Sequence, residues 1–127
     1  MTPTETTTQD ATDDRAGTIR LSRDGAPPLR FRGWLRGEAS SHSHSGPSNS
    51  RWTEIRIYET TSDKAVVAIV GRTLWQGESE RRSVIVVPEY SGRAIAKALA
   101  EQNDGYLSAV AKEALDDAVL DYAENLE

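Results

Sequence analysis

From Gly17 to Val87 apolar and polar residues mostly alternate one by one, and beyond Tyr90 the apolar ones recur every three to four positions. The first period turns successive side chains to opposite faces of a strand, and the second lines them along one stripe of a helix. Gly17–Arg23 (GTIRLSR) reads as a short strand, and Asp24-Gly25, lengthened by Pro27-Pro28, as the turn after it. Residues 29–36 (LRFRGWLR) set Leu29, Phe31, Gly33 and Leu35 against Arg30, Arg32, Trp34 and Arg36. That strand is expected to be half buried and half basic. Arg51–Thr60 (RWTEIRIYET) alternates again, with Thr53, Ile55 and Ile57 opposed to Trp52, Glu54, Arg56 and Tyr58. Residues 65–70 (AVVAIV) are continuously apolar and rich in β-branched side chains, the pattern of a central strand covered on both faces. Gly71 is expected to mark a bulge or a close backbone approach. Residues 83–87 (SVIVV) form a further strand, stopped by Pro88.

Helical spacing then takes over. Tyr90, Ala94, Ile95, Ala98 and Leu99 follow Ser91, a residue type that caps helix N-termini, and Asn103-Asp104-Gly105 closes this helix. A second stripe of Leu107, Val110, Ala111, Ala114, Leu115, Ala118, Val119, Tyr122 and Leu126 predicts one long helix to the end of the chain. Its other face carries Glu113, Asp116, Asp117, Asp121, Glu124 and Glu127. Strands first and helices last, joined by short turns, give an α+β domain: an antiparallel meander of four to five strands followed by two C-terminal helices packed on one face. A parallel sheet would need helices between its strands. Residues 1–16, rich in Thr, Asp and Ala, read as a disordered acidic tail, leaving 17–127 as the single domain. Residues 38–50 (EASSHSHSGPSNS) read as a flexible connection.

Composition narrows the possibilities. The chain has 127 residues, 37% of them hydrophobic and 28% charged, which is material for one modest core. No apolar run approaches the ~20 residues of a membrane-spanning helix, and MTPTETTTQDATDD has neither the basic start nor the apolar centre of a secretory signal. There is no cysteine, so disulfides, thiolate metal sites and cysteine nucleophiles are excluded and a reducing cytoplasm is the expected location. The net charge of -5 is unevenly spread. Six arginines (Arg15, Arg20, Arg23, Arg30, Arg32, Arg36) stand against Asp24 in residues 15–36, whereas residues 83–127 set nine carboxylates against Arg93, Lys97 and Lys112. A basic N-terminal third thus faces an acidic C-terminal third, a layout that favours charged partners.

Catalytic signals are sparse. His42 and His44, the only histidines, lie in the serine-rich stretch as H-x-H, with Glu38 the nearest carboxylate, and a metal site normally takes three or four ligands. No nucleophile elbow, phosphate-binding glycine loop or zinc-protease motif occurs. No enzyme activity, metal, cofactor or small-molecule substrate is therefore expected. The most specific feature is a basic and aromatic face made of Arg30, Arg32, Trp34 and Arg36, extended by Trp52 and Tyr58 of the next strand. Tryptophan, tyrosine and arginine are the residues enriched at protein–protein hot spots, and the same set suits phosphates and stacked bases. The carboxylates Glu113, Asp116, Asp117, Asp121 and Glu124 offer a second face, able to imitate a row of phosphates toward a basic groove. A solvated helix surface would look the same.

Residues 51–72, RWTEIRIYETTSDKAVVAIVGR, resemble the R-W-x-E-[IL]-R-[IL]-Y hairpins of small proteins from bacterial phages, plasmids and integrated elements. Families of that size and setting include the anti-CRISPR proteins, compact binders that block Cas surveillance complexes. The resemblance implies inhibition by occupying a partner surface, and carries over no catalytic residue. The expectation is a non-enzymatic binding protein acting on a nucleic-acid-handling protein complex. The alternative is a single-stranded RNA or DNA binder using the basic and aromatic face. A protein partner is expected first, then nucleic acid, with a homodimer also open and no membrane involved.

Overall fold

The computed structural model describes residues 15–44, 51–75 and 77–126. Residues 1–14 of the tail expected over 1–16, and the part of the serine-rich stretch over 45–50, lie outside them. Five antiparallel strands run in chain order as one sheet: β1 (Gly17–Arg23), β2 (Ala26–Ser40), β3 (Arg51–Thr60), β4 (Ala65–Thr73) and β5 (Arg81–Val87). Two helices follow, α1 (Gly92–Glu101) and α2 (Ala109–Asp117). This is the expected α+β meander with its helices at the C-terminus.

Register explains the two-sided burial of β4. Ile57 pairs with Val67 and Val67 with Ile85, while Glu59 pairs with Ala65 and Ala65 with Val87, so the odd-numbered side chains share one face. On that face Ile55, Ile57, Ala65, Val67 and Val87 pack with Ile95 and Leu99 of α1 and Val110, Ala111, Ala114 and Leu115 of α2. The even-numbered face holds Tyr58, Val66 and Ala68, against which Ile19, Leu21, Leu29, Phe31 and Val84 pack. The sheet thus has a helical layer on one side and, on the other, a layer made from its own first hairpin. Removing these side chains from water supplies the driving force on both sides.

The hairpin covers that face because β2 serves two neighbours. Its first part pairs with β1, from Arg23↔Ala26 to Gly17↔Gly33, and its second part with β3, from Gly33↔Thr60 to Ser40↔Glu54. At Gly33 the backbones come so close that a Cβ would stand 2.2 Å from the Glu59 carbonyl oxygen. Phe31 reaches Tyr58 edge-to-face with ring centroids 5.6 Å apart. The hairpin tip is tied to the far edge: Asp24 N–H donates to the Arg82 carbonyl at 3.0 Å, and Arg82 N–H donates to Asp24 Oδ2 at 2.9 Å.

Several elements depart from expectation. Gly25, at φ +73°, closes a short turn, and Pro27 and Pro28 belong to β2. They can, because this is where the strand has only one partner and proline's missing N–H costs little. Gly71 sits in unbroken register opposite Thr53 and Arg81, and the irregularities fall instead between Leu21 and Arg23 of β1 and between Leu35 and Gly37 of β2. β2 runs on through Ser40, with Ala39 packed on the helical core, and a 3-10 turn spans Ser41–His44. Ser91 caps α1 as expected, its Oγ accepting from Ala94 N–H at 3.2 Å. The long second helix is cut to nine residues, capped by Ser108 and ending at Asp117. Leu120 N–H donates to Leu115 O and Val119 N–H to Asp116 O, both at 3.0 Å, with Val119 at φ 57°. This paired reversal satisfies the last carbonyls of α2 and releases the chain. Leu120 and Tyr122 then reach the core from the extended segment, whereas Val119 and Leu126 are 90% and 99% exposed.

Candidate binding face

The outer side of the β1–β2 hairpin is built by alternation. Because Ile19, Leu21, Leu29 and Phe31 turn inward, Arg20, Arg30 and Arg32 turn outward, and all three are exposed. Arg20 and Arg30 are direct cross-strand partners, and Thr18 is opposite Arg32. Like charges placed opposite one another repel. Arg32 Nη2 donates to the Ala16 carbonyl at 3.0 Å. Among the described residues no carboxylate bonds to Arg20, Arg30 or Arg32. Elsewhere in the sheet Arg36, Arg51, Arg56, Arg72 and Arg82 each have a carboxylate partner.

Further along β2, Trp34 lies opposite Glu59 and is half-buried. The Arg36 guanidinium sits 4.8 Å from the Trp34 ring centroid, and its Nε bonds Glu59 Oε1 at 2.8 Å. The stack and the ion pair hold both side chains on one side of the sheet at the margin of the basic ridge. Arg30, Arg32, Trp34 and Arg36 are thereby brought together. Trp52 and Tyr58 are not. Both belong to the even-numbered face of β3, opposite in sense to Glu59 and Trp34, and Tyr58 is only 6% exposed beneath Phe31. Trp52 stacks on His42 with centroids 4.0 Å apart and donates from Nε1 to Glu54 at 3.0 Å.

The acidic row is also divided. Glu113, Asp116 and Asp117 lie on α2, while Asp121 and Glu124 lie in the extended segment after it. Asp117 Oδ2 accepts from the Glu38 backbone N–H at 2.9 Å, fastening α2 to β2. Burial and the Asp116 carboxylate beside it push the Tyr122 phenol pKa up.

Sequence reading missed a network at the open end of β3, β4 and β5. Arg72 is held between Glu54 at 3.0 Å and Glu80 at 2.5 Å, and Glu80 also binds Arg82. Arg51 pairs with Glu78, stacks over Trp75 at 5.3 Å, and Thr73 donates to Glu78 at 2.6 Å. Arg51, Arg72, Thr73, Glu78 and Glu80 line a cleft of about 850 Å³ together with Asp24 and Arg81. Arg51 and Thr73 hold the Glu78 carboxyl down to about 2. Trp52 and Arg72 likewise lower Glu54, while Glu80 and Glu54 raise the Arg72 guanidinium. A general acid needs its carboxyl raised toward neutrality, the opposite direction. The only signal in the sequence was the crowding of Glu78, Glu80, Arg81 and Arg82 in one turn. Among the described residues no group of three or more His, Asp or Glu side chains is placed to hold a metal ion, and no helix is long and apolar enough to cross a membrane. Comparison with family models, with curated proteins and with solved structures finds no match to this chain.

Proposed function

We propose that the chain is a non-catalytic binding protein that holds an acidic protein surface against the outer side of its β1–β2 hairpin. One observation carries this reading: Arg20 and Arg30 face each other across the strands, Arg32 extends the row, and none has a bonded carboxylate among the described residues. Free energy spent on juxtaposed cations is recovered when an anionic partner arrives. Trp34, clamped by Arg36 and Glu59, supplies an aromatic anchor at the edge of the same ridge. The Glu78 carboxyl of the cleft and the Glu54 carboxyl of the same ion-pair network, both held low, favour structural ion pairing over proton transfer. The inhibitory form of the proposal rests on the likeness of residues 51–72 to hairpins of phage and plasmid proteins: the partner is a nucleic-acid-handling complex, blocked by occupation of its surface in the manner of an anti-CRISPR protein.

A second reading, a single-stranded RNA or DNA binder, draws on the same three arginines. It is weakened by the loss of Trp52 and Tyr58 from the face, which leaves one indole where successive bases would need several stacking surfaces. Affinity capture from a host extract with the wild-type chain and the Arg20→Glu/Arg30→Glu/Arg32→Glu variant separates the two. The proposal expects a protein complex to be retained by the wild type, lost with the variant, and unaffected by nuclease. Retention that vanishes with nuclease, together with binding of mixed oligonucleotides that weakens as salt rises, establishes the second reading instead.

A further inference from the structure

β5 forms one margin of the sheet, and among the described residues the hydrogen bonds to its outer backbone fall at its start. Both backbone groups of Arg82 are bonded to Asp24 and so point away from β4. In an antiparallel ladder every second residue does the same, which makes Val84 and Val86 the next outward positions. Among the described residues no hydrogen bond reaches the backbone of Val84 or Val86 from that side. The stretch is uncharged and β-branched (SVIVV), and Val86 is 50% exposed. Natural sheets usually blunt such a margin with charge, proline or a cover.

We infer that β5 pairs antiparallel with β5 of a second copy of this chain, about a two-fold axis at Ile85. The open stretch is bounded by Asp24 at Arg82 and by Pro88, where the strand ends, so its centre is Ile85. Two-fold pairing there sets Val84 opposite Val86 twice, and each pair exchanges N–H···O bonds through the groups left open. The second copy's chain turns off at Pro88, which has no N–H to offer, just where Asp24 has already taken the Arg82 backbone. An axis at Val84 or Val86 would instead drive the strand into the Asp24 turn or leave a valine backbone unmatched. The same axis turns the Arg81 end of one strand toward the Glu89 end of the other. A joint of this kind is self-complementary, as a two-fold contact requires, and small enough to give a concentration-dependent dimer. It is independent of the basic ridge.

Sedimentation of the wild-type chain over a range of concentrations should show a reversible monomer–dimer equilibrium. Val86→Pro removes only an outward N–H, so β4 pairing survives while the dimer dissociation constant rises on the order of tenfold or more. Arg81→Glu, which leaves all backbone bonds in place, weakens the dimer about threefold, and adding Glu89→Arg restores it. A chain that stays monomeric at every concentration, or a dimer unchanged by both Val86→Pro and Arg81→Glu, overturns the inference. Circular dichroism of each variant confirms that the fold is kept.

Discussion

The Asp117 carboxylate accepts the Glu38 backbone N–H at 2.9 Å, and this bond joins the last turn of α2 to the irregular stretch of β2. Glu38 directly follows Gly37, where β2 comes closest to the helix. Asp117 therefore contributes to the fold through this bond. Asp117→Ala should cost about 1 kcal/mol in denaturant unfolding, and Asp117→Asn, whose amide oxygen still accepts, should recover most of it. Neither change should weaken binding at the β1–β2 ridge.

Gly37 is the residue that lets the two elements meet. A Cβ there would stand 2.7 Å from the Ala114 carbonyl oxygen and 2.6 Å from the Ala118 nitrogen. Both are backbone atoms that cannot rotate away. Gly37→Ala should destabilise the protein by about 1–3 kcal/mol, the range of overpacked cores, read as a lower denaturant midpoint with an unchanged slope.

Val119 holds a left-handed backbone at φ 57° with its side chain in water. For a β-branched residue this conformation is strained by about 1–2 kcal/mol, partly offset when glycine's greater unfolded-state freedom is counted. Val119→Gly should therefore stabilise by about 0.5–1 kcal/mol, a rise of a few degrees in Tm on scanning calorimetry.

Glu78 gives the network a pH signature. Its folded pKa of about 2 lies below the ordinary carboxylate value, so its contribution is complete above the unfolded pKa and is lost as pH falls toward 2. Glu54, lowered by Trp52 and Arg72, adds to the same loss. Glu78→Gln should lower Tm at pH 7, and the gap to wild type should close as pH approaches 2. A gap that persists at the acid end would remove the ion pair as its cause.

Strand patterning made the fold legible. The alternation in 29–36 and 51–60 sorts side chains correctly within each strand, and the unbroken apolar run of 65–70 marks the strand buried on both sides. What alternation within a strand does not carry is which face of one strand meets which face of the next. That depends on register, and the irregularity between Leu35 and Gly37 sets it, so Trp34 and Tyr58 part company. The end of α2 was hidden for a local reason. The reversal falls on Val119 with no glycine to announce it, while Tyr122 happens to keep the helical spacing. The hairpin layer over Tyr58 rests on contacts between residues far apart in sequence, such as Asp24 with Arg82, which no period reveals.

The central claim is that a chain with net charge -5 presents an organised row of arginines on one side of β1 and β2, with no bonded carboxylate among the described residues. Retention on immobilised heparin, a sulfated polyanion, tests it directly. The wild-type chain should be held at low salt and released as salt rises; Arg20→Ala/Arg30→Ala/Arg32→Ala should flow through, and Arg93→Ala/Lys97→Ala should elute with wild type. A wild-type chain that passes unretained, or a triple variant that elutes with it, would contradict the account.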